Sequence, residues 1–439
     1  MKSLLKAVLP KGLVQWLQAR RGQQAWHNML GDWNRLAREC AARPKPASVP
    51  RNRILIFPSD LGAITGALGD DAMITASLEV LGERTPDLAV DMFCEARAAD
   101  IVRAKGFHPI VLPALPDFPA AMAKLFDGAP YMAMIALGAD IMDGYYSHIA
   151  ATRILIAADL AQKSGVPATI LGCSFNDKPV ALLADIYRRL DPGVALNMRD
   201  EISLNRIRAF APVTPNLVAD SAFNLKPGKV DPATQTWVDD QRARGRTIVG
   251  MNVHPMLIKG ATPDQVEQII ATTTAALQAA SAAHPEVSWL MLPHDYRGAD
   301  GDARCLKPVY DGLVAAGGIE THFLDGEHRA ADLKAMAGLT DGVVTGRMHL
   351  AIASLGMGVP VLSLTYQDKF EGLYRHFDLP SSLLLPPAIF DQGAALGQAI
   401  SGFVADLPAL STTVARAKPK VLALARDNYA RYLDGDAAA

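Results

Sequence analysis

Short apolar runs alternate with longer, helix-patterned segments from Arg53 nearly to the end of the chain, and that alternation admits few folds. Strand-like runs stand at 53–58, 88–93, 109–112, 132–137, 168–171 and 195–198, with helices between them, notably 147–164 and 182–190. A second series opens with a strand at 247–253 and runs through a helix at 263–284, a strand at 288–292 and a helix at 303–316. It continues with a strand at 321–324, a helix at 330–337, a strand at 342–344, a helix at 350–355 and a strand at 361–364. Strands that alternate with helices in this way pair in parallel, because the crossover that returns to the same edge of a sheet has room for a helix. The polar piece 226-KPGKVDPATQTWVDDQRARGR-246 separates the two series. The chain therefore reads as an α/β protein of two doubly wound domains facing a central cleft. The expected divisions are an N-terminal segment 1–50, domains 51–228 and 229–410, and a C-terminal helix 411–439 that can cross back to the first domain.

The bulk properties narrow the function classes. With 439 residues, half of them apolar, the chain can build more than one packed core. A net charge of −2 argues against a broad nucleic-acid footprint, which needs a basic domain. Four cysteines (Cys40, Cys94, Cys173 and Cys305) form no CxxC pair and read as buried, reduced thiols of a cytoplasmic protein. No run approaches the 18 or so apolar residues of a membrane span. Residues 1–21 carry Lys2, Lys6, Lys11, Arg20 and Arg21, no acidic residue, and apolar side chains near helical spacing. Such a basic amphipathic helix can rest on an anionic membrane surface, here the inner face; packing on the body of the protein is the plainer alternative.

Charge collects where apolar runs end. Arg199 follows the run at 195–198, and Asp200 and Glu201 open a helix. His294, Asp295 and Arg297 follow the run at 288–292. Arg347 and His349 follow Thr345-Gly346, at the start of a buried helix that Gly358-Val359-Pro360 ends. In an open α/β sheet the carboxyl ends of the strands are where ligands bind, and helix N-termini there favour anions. Two guanidinium groups and an imidazole suit a small ligand of charge −2 or −3, since arginine grips carboxylate and phosphate with two hydrogen bonds. Each has a bland reading too: Arg199 can pair with Asp200 or Glu201, and His294 can bond within its loop. In the first domain, Gly62, Gly66 and Gly69 precede a helix whose first turn holds Asp70 and Asp71. No lysine follows to make a phosphate-binding P-loop, and the spacing is not that of a dinucleotide fingerprint. The other histidines are scattered without metal spacing, so no metal is expected.

These residues resemble the polysaccharide pyruvyl transferase family over about 54–380. The resemblance is carried, in the family's order, by Gly69-Asp70-Asp71-Ala72-Met73-Ile74, Met198-Arg199-Asp200-Glu201-x-Ser203 and Asp220-Ser221-Ala222-Phe223. It continues with Leu292-Pro293-His294-Asp295, Thr345-Gly346-Arg347-Met348-His349, Gly358-Val359-Pro360 and Tyr366-x-x-Lys369. It implies two Rossmann-like halves arranged as in GT-B glycosyltransferases, with the acceptor in the first half and the donor in the second. It also implies an enzyme that uses phosphoenolpyruvate as co-substrate, with no cofactor, to form a cyclic pyruvate ketal on two hydroxyls of a sugar or lipid-linked glycan. On that resemblance His349 is the acid, Arg199 and Arg347 hold the donor, and Gly69, Asp70, His294, Gly346 and Lys369 contact substrate. The sequence departs from the family at 136-ALGADIMDGYYS-147, where three glycines and an acid are usual and only Gly138 and, later, Asp143 remain. Two other classes stay open: a glycosyltransferase using a nucleotide sugar, with Glu371 as its ribose contact, and a non-catalytic glycan-binding relative.

Overall fold

A computed structural model describes residues 11–45, 50, 52–62, 68–298, 301–365 and 369–433, with side chains at 11–21, 23 and 393 left out. Tyr366, Gly66 with the rest of the 63–67 loop, and the basic face expected over residues 1–21 lie outside that description.

Seven parallel strands make the first sheet: β1 (Arg53–Phe57), β2 (Ala89–Cys94), β3 (His108–Val111), β4 (Ala133–Ala136), β5 (Ala168–Cys173), β6 (Ala195–Met198) and β7 (Asn216–Leu217). Six make the second: β8 (Thr247–Asn252), β9 (Val287–Met291), β10 (Thr321–Phe323), β11 (Gly342–Thr345), β12 (Val361–Leu364) and β13 (Leu384–Leu385). The orders are β3-β2-β1-β4-β5-β6-β7 and β10-β9-β8-β11-β12-β13, so each sheet winds outward in both directions from its first strand. The expected pair of doubly wound α/β halves is what the chain forms. Central strands such as β4 (AMIA) and β9 (VSWLM) are buried at every position, because helices cover both faces. The switch points fall between β1 and β4 and between β8 and β11, and there the connections leave a crevice at the carboxyl ends.

Several boundaries differ from the sequence reading. The N-terminal segment is a helix, Lys11–Ala42, whose second half joins the first domain: Met29, Trp33, Leu36 and Cys40 are buried in its core. Trp33 Nε1 donates to Asp159 at 2.8 Å, so this half is bonded to the domain and does not stand apart. The polar piece at 226–246 contains a helix, Pro232–Ala243, capped by Asp231, which accepts from Thr234 N–H. Proline in the first helical turn and an aspartate cap are ordinary start signals that the polar composition obscured. The expected division at 410/411 falls inside one continuous helix, Gly393–Arg426, whose buried positions run unbroken through Leu407, Leu410 and Val414.

The chain does return to the first sheet. Asn428 accepts from Gly172 N–H at 2.8 Å and donates to Ala219 O at 2.9 Å, and Tyr429 shares a 2.7 Å hydrogen bond with Ser77. Elsewhere between the halves, buried Lys334 donates to Phe223 O, and Ala330 N–H donates to Asp71. All four cysteines are buried and free. Among the described residues no helix is long and apolar enough to cross a membrane.

Candidate active site

The two switch points face one cleft of about 180 Å³ that opens to solvent. From the first half it receives Ser59 after β1, Gly69 and Asp70 at the start of the helix Leu68–Gly82, Ala139 and Asp140 after β4, and Arg199 after β6. From the second it receives His294, Asp295 and Arg297 after β9, Arg347 and His349 after β11, and Lys369 opening the helix Lys369–His376. Seven of the eight residues singled out from sequence therefore line one space. The eighth, Gly346, lies beneath it: a Cβ there would stand 2.7 Å from His254 Nε2, so glycine lets strand β11 pass over that buried ring.

His349 sits at the first turn of the helix Met348–Met357, with its ring against the other half. A Cβ on Gly69 would lie 2.6 Å from His349 Nδ1, so the glycine at this helix start is a steric requirement of the imidazole. Nε2 is buried and has no hydrogen-bond partner among the described residues; Asp220, at 3.9 Å, is too far to accept. Burial lowers the imidazole pKa most, Asp220 opposes that, and Arg199 and Lys369 add to it, so the ring is held below its ordinary value. His294 is pushed down to about 3 by burial, with His349 and Arg347 adding to the shift. Burial therefore favours the neutral form of both rings.

The two arginines differ. Arg199 is buried and donates through Nε to Ser174 at 2.8 Å and through Nη1 to Asp220 at 2.9 Å, its two side-chain bonds among the described residues. Behind it, His376 of the second half is hydrogen-bonded to the Arg199 carbonyl at 2.8 Å. Arg347 is clamped. Its Nε and Nη2 donate to Asp302 at 2.9 and 2.6 Å, and Nη1 lies 3.2 Å from Asp295. Asp302 also accepts from His294 N–H, Asp295 N–H and Asn252 Nδ2, at 2.7, 3.1 and 2.6 Å. Both arginines that the resemblance assigned to the donor line the cleft, and Arg347 is also the centre of a polar network around buried Asp302.

Three carboxylates went unrecognised in the sequence: Asp302, Asp140, and Asp220 as the partner of Arg199. Asp70 accepts from Ser59 Oγ, Ser59 N–H and Asp60 N–H, which ties the helix start to the end of β1. Asp143, retained from the family's acidic position on the sequence reading, does not line the cleft. It is buried and accepts from Tyr145 N–H, Asn176 N–H and Asn176 Nδ2, which shapes the loop. The acid in the cleft is Asp140, whose Oδ2 accepts from Lys369 Nζ at 2.8 Å. The available signal was its place, three residues beyond Leu137 at the end of β4. Among the described residues no cluster of three or more His, Cys, Asp or Glu could hold a metal ion.

The sequence pattern of the polysaccharide pyruvyl transferases matches residues 67–368, a span that contains the cleft's lining from Leu68 to His349, begins after Ser59 and stops one residue before Lys369. The chain belongs to the polysaccharide pyruvyl transferase family. No curated protein matches it closely enough to add to that. Solved structures share its fold at low identity. The Staphylococcus aureus MnaA–UDP complex aligns with a TM-score of 0.55 at 9% identity, covering 87% of this chain and 97% of its own. A putative UDP-N-acetylglucosamine 2-epimerase from Listeria monocytogenes gives 0.54 at 12%, covering 88% and 96%. Anabaena Alr3699/HepE with UDP gives 0.54 at 13%, covering 87% and 99%. These likenesses show the GT-B-type arrangement of two Rossmann-like halves. Membership makes the chain a transferase of polysaccharide biosynthesis.

Proposed function

We propose that this pyruvyl transferase takes phosphoenolpyruvate as donor and joins its three-carbon unit to two hydroxyls of one sugar, forming a cyclic ketal on a polysaccharide or its lipid-linked precursor. The observation that carries this reading is His349 Nε2, a buried ring nitrogen without a partner, in a cleft that also holds Arg199. A buried polar atom left unbonded costs about 1–3 kcal/mol, so its persistence points to a ligand that completes it.

The chemistry follows from those groups. A phosphate and a carboxylate entering beside His349 favour its protonated form, reversing the effect of burial. The imidazolium then protonates the methylene carbon of phosphoenolpyruvate, and the positive character that develops at C2 draws a sugar hydroxyl. Arg199 takes the donor's oxygens with its remaining N–H groups and balances charge on the departing phosphate. Arg347, clamped by Asp302, supports the site by fixing the β11 turn from which His349 projects. The acceptor belongs on the side of Ser59, Asp70 and Asp140. Contact of residues 1–21 with a membrane surface would bring a lipid-linked acceptor to the cleft.

Incubation with phosphoenolpyruvate and cell-wall or exopolysaccharide fragments is expected to release phosphate and leave an acid-labile pyruvate ketal on the sugar. His349→Ala is expected to lower turnover by about 10²–10⁴-fold. A nucleotide-sugar transferase would instead be stabilised by UDP- or GDP-sugars and not by phosphoenolpyruvate. Glu371, its expected ribose contact, is exposed and does not line the cleft.

A further inference from the structure

Protonating the donor is half of the reaction; each sugar hydroxyl must also lose a proton. Five carboxylates of the cleft and its walls are already committed. Asp70 accepts three hydrogen bonds from Ser59 and Asp60. Asp220 binds Arg199 and caps Ala222 N–H at 3.0 Å. Asp302 is filled by Arg347, Asn252 and two backbone N–H groups. Asp295 is held by Arg297 on both oxygens, and Asp143 by Asn176 and Tyr145.

Asp140 differs from all of them. Its one hydrogen bond among the described residues is the 2.8 Å contact from Lys369, made on Oδ2. An ionised carboxylate has about four acceptor positions, so most of its capacity faces the cleft unused. The turn that presents it holds Ala139 at φ +43°, in the left-handed region that alanine seldom adopts. Gly138 cannot carry a side chain, since a Cβ would come within 2.6 Å of Cys173 Cβ. Burial disfavours the charged form of Asp140, but the positive charges of Lys369 and Arg199 outweigh it and hold its pKa below the ordinary value, more so when His349 is protonated.

Resting on the pyruvyl-transfer reading, we infer that Asp140 is the base that accepts the proton of the first sugar hydroxyl, and that Lys369 holds it in place across the cleft. His349 gives its proton to C3 of phosphoenolpyruvate. The first hydroxyl oxygen bonds to C2 while its proton passes to Asp140. The bond between C2 and the phosphate oxygen then breaks, and phosphate leaves with the proton from Asp140. The second hydroxyl bonds to C2 and gives its proton to His349, which restores both residues. Of the two hydroxyl protons, one ends on the methyl carbon and one on phosphate, and no oxidant or further reactant is needed.

The test separates donor protonation from acceptor attack. In deuterium oxide with phosphoenolpyruvate alone, deuterium uptake at C3 reports the first step without any sugar. Asp140→Asn is expected to keep that uptake within a few-fold of wild type, to keep the KM for phosphoenolpyruvate, and to lower kcat for ketal formation by about 10²–10⁴-fold. Asp140→Glu is expected to recover part of that loss, and equal thermal midpoints establish that the variants fold. An Asp140→Asn enzyme with undiminished ketal formation overturns the inference, as does one whose C3 uptake falls together with turnover. A wild-type enzyme that neither exchanges C3 nor forms a ketal overturns the pyruvyl-transfer reading itself.

Discussion

The ends of β4 and β11 occupy the same place in the two sheets, each beside the first strand of its half, yet they are built differently. After β11, Thr345 Oγ1 accepts from Arg347 N–H at 2.9 Å and donates to Asn252 at 3.1 Å, while Asn252 and Arg347 both reach Asp302. Every member of that turn is held by another. After β4, Gly138-Ala139-Asp140 is held by packing and by two backbone bonds, Ile141 N–H to Gly138 O and Ser174 N–H to Ala139 O, while its one side-chain bond among the described residues comes from the opposite half. The difference teaches where each half spends its polar groups. The second bonds the polar groups of the turn before His349 to one another, and the first leaves Asp140 in the cleft with one side-chain bond among the described residues.

Breaking the bonded side should have the largest effect. Asp302→Ala removes the carboxylate that compensates buried Arg347, and such a loss typically costs about 3–5 kcal/mol, measurable as a fall in the urea midpoint. Asp140→Asn keeps a hydrogen-bond acceptor opposite Lys369 and disturbs a single side-chain bond, so it should cost less. Comparable losses for the two would erase the distinction.

Gly69→Ala tests how the first half positions the imidazole of the second. Alanine inside a helix would ordinarily add about 0.5–1 kcal/mol of stability. Here its Cβ would meet His349 Nδ1 at 2.6 Å, so the ring must move. A displacement of that kind can cost roughly 10²-fold in rate, with the melting temperature unchanged or raised. Full activity in this variant would show that the ring is not held by the contact.

One effect is small near neutral pH and grows as acid is added. Because burial holds His294 neutral down to about 3, the unfolded chain takes up a proton near pH 6.5 that the folded one refuses. Stability is complete above that pH and falls by roughly 1.4 kcal/mol per unit as acid is added, until His294 itself protonates. Urea midpoints at successive pH values should flatten in His294→Asn; an unchanged slope would place the acid sensitivity elsewhere.

Much of the fold was legible because its signal is periodic. Buried parallel strands such as β1 and β9 are continuous apolar runs, and the helices between them carry ordinary caps. β13, two residues long, has no such signal, and the helix Pro232–Ala243 was hidden by its polar surface. The site was legible where motif and strand end coincide, as at Arg199, His294 and His349. Asp302 was not, since it lies in a loop and acts through its bonds to Arg347, Asn252 and the backbone of His294 and Asp295. Asp140 was passed over for Asp143 because spacing alone cannot say which of two nearby acids turns inward. That choice is made by the backbone at Ala139 and by Lys369, more than 200 residues away.

The central claim is that the cleft receives a small, multiply charged donor beside a neutral, buried imidazole. Calorimetric titration with phosphoenolpyruvate near pH 7, in two buffers of different ionisation enthalpy, tests it most directly. The account predicts saturable binding with net proton uptake, because the ligand's charge raises the pKa that burial lowers at His349. The uptake should vanish in His349→Ala, and affinity should weaken in Arg199→Ala. Binding of a UDP-sugar with no response to phosphoenolpyruvate, or phosphoenolpyruvate binding without proton uptake, would contradict it.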